Sequence, residues 1–251
     1  MSAHLKPFPP LKITLVRCPI VISTNDLAKE LMDSGNFGQG LLVMADYQEK
    51  GRGQMGAEWE GEPGKNLLLS LALEPQMALE NQFLLNMSIA LVLTEFLEKH
   101  LGQTQIKWPN DILHQGKKVA GILIENSIQG NTWAQSIVGM GINVNQTQFN
   151  ASKKASSMML IASKTFNLDE LLSELISLFE TKISTLMNEP ENTKSAYHQK
   201  LMFYKKWTRF RSKDIEFEAR VEGVDAFGRL MLDTGSEIKT FGIKELDWLE
   251  L

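Results

Sequence analysis

The stretch ADYQEKGRGQMGAEWEGEPGKN, residues 45–66, decides the fold class of this chain. Gly51, Gly53 and Gly56 have the G-x-G-x-x-G spacing of a dinucleotide-binding loop, which works only when a helix follows the glycines and receives the pyrophosphate. Pro63, with a glycine close on each side, leaves no room for that helix before the next apolar run. The stretch therefore predicts a strand, a loop and a second strand, and together with the hairpins and helices elsewhere in the chain it favours an α+β fold rather than a doubly wound one.

The same loop does not fit a phosphate-binding P-loop either. That motif needs a glycine where this chain has Trp59, and a serine or threonine where it has Asn66. What remains is a cation between two glycines, Arg52, whose guanidinium can hold an anion bidentately while the glycines let the backbone come close. An exposed turn with an incidental arginine is the alternative interpretation.

Composition limits the possible functions. The net charge of −4 argues against a general nucleic-acid binder, which would carry a basic face. Cys18 is the only cysteine and the four histidines are not at metal-ligand spacing, so the sequence predicts neither a disulfide nor a metal site. The N-terminus lacks the apolar core of a signal peptide, and no apolar stretch is long enough to span a bilayer. We expect a cytoplasmic protein with neither a DNA nor a membrane partner.

Hydrophobic periodicity outlines the first elements. It predicts strands on both sides of the glycine loop and a first strand that could break at Pro19. A helix begins at Ser23 or Thr24, and a long core helix ends near Gly102. A hairpin turn is predicted over residues 114–117.

The C-terminal part changes character along the chain. An amphipathic helix is predicted over 166–188 and a shorter one over 192–204. Apolar and polar residues then alternate in several short segments, which predict about five strands. We therefore expect a catalytic or binding domain at 1–203 and a small β domain at 204–251.

Three further polar groups stand beside apolar strands. KWPNDI, residues 107–112, places a lysine, an asparagine and an aspartate around a proline. GKKVAGILIE, residues 116–125, puts Lys118 among small and apolar residues, where a lysine either reaches solvent or points into a ligand cavity. STN, residues 23–25, is by itself a common start of a helix.

These motifs, in this order, resemble the biotin–protein ligases, also called biotin–[acetyl-CoA-carboxylase] ligases. The likeness runs through STN, YQEKGRGQMG with a tryptophan after it, KWPNDIL, KKVAGILIE and GMGINVN, and it covers nearly the whole chain. It implies a class II synthetase-like catalytic domain, a mixed sheet with packed helices, followed by a small SH3-like β-barrel. We expect the short form without an N-terminal DNA-binding domain, because few residues precede the first strand.

The resemblance implies a ligase that uses biotin and ATP, with Mg²⁺ bound to the nucleotide. Biotin is activated to biotinoyl-5'-AMP with release of pyrophosphate, and is then transferred to one lysine of a biotin carboxyl carrier protein. A lipoate–protein ligase-like acyl-adenylate transferase and a non-catalytic protein that binds biotin or the carrier are the alternatives. Whether the protein is a monomer or a homodimer stays open.

The resemblance also assigns residues to these roles. Arg52 and Lys118 are the implied catalytic cations, which would stabilise charge developing on phosphoryl oxygens. The implied biotin-binding residues are Ser23, Thr24, Asn25, Gln48, Arg52, Gly53, Gln54, Lys118 and Gly121. Those implied for ATP and the adenylate are Arg52, Trp59, Lys118 and Asn143. Gly139 and Gly141 would keep the cavity open. The residues implied to orient the acceptor lysine or MgATP are Lys107, Asn110 and Asp111.

The glycine loop departs from the family pattern GRGRRGR, which carries several arginines. The positions that differ are Gln54, Met55 and Ala57. Part of the positive charge over the adenylate is therefore missing, so we expect either weaker retention of the adenylate or compensation by Lys50 and Lys65.

Overall fold

A seven-stranded mixed sheet forms the centre of the fold. The structure, a computed structural model, describes residues 7–35, 40–75, 77–130, 132–151 and 154–250. The strands of this sheet are β1 (Thr14–Val21), β2 (Leu41–Gln48), β3 (Leu67–Leu73), β4 (Gln105–Lys107), β5 (Asp111–His114), β6 (Lys117–Gln129) and β7 (Thr132–Ile142). They lie in the order β1-β2-β3-β7-β6-β5-β4, with β1 and β2 parallel and the other neighbouring pairs antiparallel. This confirms the predicted α+β class with a mixed sheet.

Helices cover both faces of this sheet. They are α1 (Thr24–Asp33), α2 (Gln82–Leu101), α3 (Met158–Ala162), α4 (Leu168–Asn188) and α5 (Pro190–Lys200). Side chains of β2 alternate between the faces: Leu41 and Val43 pack with Ala28 of α1, whereas Leu42 and Met44 join the larger core that contains α2 and α4. Within the described ranges, no helix is both long and apolar enough to cross a membrane.

Three details differ from the sequence prediction. β1 continues through Pro19 without a break, which an edge strand tolerates. α5 spans Pro190–Lys200 rather than 192–204, because proline fits the first turn of a helix and the backbone is already extended at Leu201. α3 has only five residues, too few for its periodicity to be recognised, and Ser157 caps it by accepting a hydrogen bond from the N–H of Leu160.

The C-terminal residues form a second, antiparallel sheet of five strands, as the sequence predicts. Its strands are β8 (Trp207–Ser212), β9 (Ile215–Val224), β10 (Leu230–Asp233), β11 (Ile238–Phe241) and β12 (Asp247–Trp248), in the order β11-β10-β9-β8-β12. Trp108, between β4 and β5, donates a hydrogen bond of 2.8 Å from its Nε1 to the carbonyl of Gly228 in this sheet's β9–β10 turn. Closure of the strands into a barrel and the domain division at residue 204 stay predictions.

His198 joins α5 to the C-terminal sheet. Its Nε2 accepts a hydrogen bond of 3.0 Å from the N–H of Val224, and its ring lies so close to Gly223 that a Cβ atom there would come within 2.6 Å. Burial lowers the pKa of His198 below its ordinary value, and the charges of Lys194 and Lys205 lower it further. The neutral imidazole is therefore the form that this junction favours.

We expect the junction to weaken in acid. The unfolded chain protonates His198 at about pH 6.5, but the folded chain does so only at lower pH. The free energy of unfolding should therefore fall as the pH drops below about 6.5, and level off below the folded-state pKa. His198→Gln keeps a hydrogen-bond acceptor but does not titrate, so its pH profile should be flatter. Urea unfolding from about pH 8 to pH 5 checks this, and parallel profiles would contradict it.

Candidate active site

A cavity of about 230 Å³ lies where the glycine loop, residues 49–66 between β2 and β3, crosses β3, β6 and β7. We call it the first cavity. It is lined by every residue that the resemblance assigns to biotin, namely Ser23, Thr24, Asn25, Gln48, Arg52, Gly53, Gln54, Lys118 and Gly121. Its lining also includes Trp59, Asn110, Asp111, Gly139 and Gly141. The fold thus brings the separate sequence motifs to one place.

Hydrogen bonds join the polar side chains at one end of the first cavity. Gln48 Oε1 accepts from the backbone N–H and the hydroxyl of Thr24, at 2.8 and 3.0 Å. Ser70 Oγ lies 2.7 Å from Thr24 Oγ1 and 2.5 Å from Asn25 Oδ1. Asn25 Nδ2 donates to Glu125 Oε2 at 2.6 Å. This end therefore presents amide and hydroxyl groups that already orient one another.

Two members of this network are not among the sequence-predicted residues. Ser70 is a fully buried polar residue in the apolar strand β3, LLLSLAL, and that contrast is the signal that could have found it. Glu125 ends the KKVAGILIE motif, but nothing in its spacing indicates a role. Ser23 occupies the N-cap position of α1 without a side-chain capping hydrogen bond.

Glycines form the floor of the first cavity because other side chains lie directly against them. A Cβ atom at Gly139 would come 2.5 Å from Asn25 Oδ1, and one at Gly141 would come 2.3 Å from the indole ring of Trp59. At Gly121 a Cβ atom would meet the same indole at 3.0 Å. Gly121 and Gly141 are partners in the β6–β7 pair, so the indole rests on a part of the sheet that has no side chains.

Lys118 stands at the boundary between the first cavity and a second one. Its Nζ forms an ion pair of 2.6 Å with Asp111 and lies 5.3 Å from the centre of the Trp59 ring. All three residues line both cavities. A carboxylate and an aromatic face therefore fix this ammonium where an anion in either cavity can reach it.

Arg52 is held by two carboxylates. Its guanidinium lies 2.8 Å from Asp26 of α1 and 3.2 Å from Glu125 of β6. Burial lowers the pKa of Arg52, but the hydrogen bond to Asp26 and the charge of Glu125 outweigh that effect, so the pKa lies above its ordinary value. The sequence predicts the cation and not its two partners.

The second cavity, of about 700 Å³, adjoins the first and carries several lysines. Lys107, Lys118 and Lys154 line it together with Asp111. Burial lowers the pKa of Lys107, Asp111 opposes that shift, and the charges of Lys118 and Lys154 add to it. The two neighbouring lysines on this wall thus make the charged form of Lys107 less favourable. The lining also includes Glu58, Trp59, Glu60 and Asn143.

Two predicted asparagines are anchored to the backbone. Asn110 donates from Nδ2 to the carbonyl of Ile122 at 2.6 Å, and Asn143 donates from Nδ2 to the carbonyl of Ser156 at 3.1 Å. Asn110 lines the first cavity and Asn143 the second, so each could still offer its amide oxygen. The compensating cations expected at residues 50 and 65 line neither cavity.

Known proteins are similar in sequence to this chain. The profile of the biotin/lipoate A/B protein ligase family matches residues 18–143. The bifunctional ligase/repressor BirA of Bacillus subtilis is 32% identical over 231 residues, which cover 90% of this chain and 71% of that protein. The biotin–[acetyl-CoA-carboxylase] ligase of Mycobacterium tuberculosis is 26% identical over 212 residues, which cover 80% of this chain and 76% of that protein.

A solved structure shares the fold. The biotin protein ligase from Aquifex aeolicus in complex with biotin and ATP matches with a TM-score of 0.76 and 26% identity, over 93% of this chain and 97% of that one. The residues that match the family profile include the whole lining of the first cavity. The chain belongs to the biotin/lipoate A/B protein ligase family.

Proposed function

We propose that the chain activates biotin with ATP to biotinoyl-5'-AMP and transfers biotin to one lysine of a biotin carboxyl carrier protein. One observation carries this proposal: the first cavity combines an amide and hydroxyl end with a glycine floor and two cations, Arg52 and Lys118. The named activities of the relatives, and the biotin and ATP of the Aquifex aeolicus complex, support it.

The amide and hydroxyl end of the first cavity suits a urea-type ring. A ureido group has two N–H donors and one carbonyl acceptor, and Thr24, Asn25 and Gln48 supply hydroxyl and amide partners within one cavity. The dithiolane ring of lipoate could not pair with these groups, and leaving them unpaired would cost binding free energy. The geometry therefore favours biotin over lipoate, the other acid in the name of the family.

Activation requires positive charge near the α-phosphate. A carboxylate oxygen of biotin attacks the α-phosphorus, the bond from that phosphorus to the bridging oxygen breaks, and pyrophosphate leaves. Lys118 and Arg52 would stabilise the charge that develops on the phosphoryl oxygens, without a covalent enzyme intermediate. Lys118 is the better placed of the two, because it lines both cavities.

The second cavity is the proposed nucleotide site. Trp59 and Asn143 on its wall are the residues for the adenine base, and Lys107 and Lys154 are the cations for the phosphates. Mg²⁺ would come bound to the phosphate oxygens of the nucleotide and would neutralise part of their charge, and Asp111 on the same wall would help to orient MgATP. Lys154 lies outside the motifs, so only the structure brings it to this wall.

Transfer uses the same site. The amine of the acceptor lysine attacks the carbonyl carbon of the adenylate, AMP leaves with the electrons of the broken C–O bond, and the nitrogen loses a proton. Asp111, which lines both cavities, is the group that we propose to orient the amine, with Lys107 and Asn110 beside it in sequence. We place the reaction in the cytoplasm, where ATP and an unpaired cysteine such as Cys18 are found.

Removing the cation shared by the two cavities should abolish activation. In Lys118→Ala we expect biotin-dependent ATP–pyrophosphate exchange to fall about 100- to 1000-fold, the usual loss when one group that stabilises transition-state charge is removed. The matched control is Lys117→Ala, because Lys117 is the exposed neighbour on β6 and lines neither cavity. If exchange depended on lipoate instead of biotin, lipoate would be the substrate. No exchange with either acid would contradict the proposed activity.

An arginine at position 54 should hold the adenylate longer. Gln54 lines the first cavity, whereas Met55 is 56% exposed and does not line it, so the two arginine substitutions add the same charge inside and outside the site. We expect Gln54→Arg to slow dissociation of biotinoyl-5'-AMP severalfold and Met55→Arg to leave it unchanged, as measured with labelled adenylate in the absence of carrier protein. Equal rates for the wild type and Gln54→Arg would contradict this electrostatic argument.

A further inference from the structure

Two elements of the fold hold Arg52 through their carboxylates. Arg52 Nη1 lies 2.8 Å from Asp26, at the start of α1. Arg52 Nη2 lies 3.2 Å from both carboxylate oxygens of Glu125, on β6. Because Arg52 belongs to the glycine loop and lines the first cavity, these contacts fasten the loop beside that cavity.

Glu125 makes a second contact, with the polar end of the cavity. Its Oε2 accepts a hydrogen bond of 2.6 Å from Asn25 Nδ2, and Asn25 Oδ1 lies 2.5 Å from Ser70 Oγ. Along β6, Gly121, Leu123 and Glu125 point to the same side of the sheet, and the first two line the cavity. One carboxylate therefore holds both the loop cation and the amide proposed for the ring of the acid.

The contacts around Arg52 are reversible. The side chains of Arg52, Asp26 and Glu125 are 41%, 51% and 46% exposed, and ion pairs with that exposure contribute little to stability. Each pair therefore holds Arg52 only weakly, so a ligand that orders one of the carboxylates can strengthen its contact with Arg52.

We propose that Glu125 is a positioning residue that couples binding of the acid to closure of the glycine loop. An acid that hydrogen-bonds to Asn25 fixes that amide and, through it, the Glu125 carboxylate, which then keeps Arg52 at the cavity. By reciprocity, a closed loop raises the affinity for the acid by the same factor. The identity of the acid as biotin rests on the proposed function, whereas the coupling rests on the contacts of Glu125.

Trypsin can measure closure, because it cleaves after Arg52 only when that side chain leaves its carboxylates. The rate of cleavage at the Arg52–Gly53 bond, identified by mass spectrometry, would be compared in the intact protein with and without biotin. The wild type should be cleaved slowly, and more slowly with biotin. Glu125→Gln keeps an acceptor for Asn25 but not the charge that holds Arg52. It should be cleaved severalfold faster, be less protected by biotin, and show a higher KM for biotin in ATP–pyrophosphate exchange.

Two control variants separate coupling from a general loosening of the loop. Glu49→Gln removes the same charge from an exposed residue that is not a partner of Arg52, and should behave as the wild type. Asp26→Asn removes one of the two charges that hold Arg52 but leaves Glu125 in contact with both Arg52 and Asn25, so it should be cleaved faster while biotin protects it as it does the wild type.

The outcomes distinguish this proposal from the proposed function. Equal cleavage of the wild type and Glu125→Gln, equal protection of Glu125→Gln and Asp26→Asn, or no protection of the wild type by either acid would overturn the coupling. Protection by lipoate in place of biotin would support the coupling and would identify lipoate as the acid that binds. ATP–pyrophosphate exchange tests the proposed function separately, because protection requires binding and no chemistry.

Discussion

The pairing of β6 with β7 is the constraint on which the site depends. Its register places Gly121 opposite Gly141 and leaves part of the sheet without side chains. Trp59 lies on this bare part, and through Trp59 the sheet fixes the loop that carries Arg52. A side chain at Gly141 would displace the indole, since even a Cβ atom would come within 2.3 Å of it. The position of Arg52 therefore depends on the two glycines, because only residues without side chains leave room for Trp59 on the sheet.

Pairing with carboxylates allows two cations to stand around one small cavity. Lys118 has Asp111 at 2.6 Å, and Arg52 has Asp26 and Glu125. Without these partners the two positive charges would repel each other and would tend to turn toward solvent. Asp111 orients Lys118 before any substrate arrives, which is the condition for electrostatic stabilisation without reorganisation, whereas the pairs of Arg52 are more exposed and hold it less firmly.

Motif residues to which the resemblance assigns a role could be predicted from the sequence, because the motif itself specifies them. Thr24, Gln48 and Lys118 all line the first cavity as expected. Ser70 and Glu125 could not be predicted in the same way, since their partners depend on strand register and on where α1 lies on the sheet. The contacts of both residues depend on pairing between parts of the chain that are far apart in sequence, and hydrophobic periodicity gives no information about such pairing.

Fold elements show the same division. Long periodic segments such as α4 (Leu168–Asn188) were predictable within a few residues, because each buries a continuous apolar face. α3 was not, because five residues complete hardly more than one turn. Lys154 belongs with the second group, since a backbone contact with Lys118, and no motif, brings it to the second cavity.

The hydroxyl of Ser70 has a consequence for which molecules the cavity accepts. It has one hydrogen and two acceptors within reach, Thr24 Oγ1 and Asn25 Oδ1. The hydrogen of Thr24 is donated to Gln48, so at any moment one of the two acceptors receives nothing from Ser70. One oxygen in this group therefore keeps an unused lone pair, and an N–H of the proposed ureido ring is a donor of the kind it could accept. A ring of the same outline with methyl groups on its nitrogens brings no such hydrogen, so in the proposed biotin site the number of hydrogens on a ligand would matter as well as its shape.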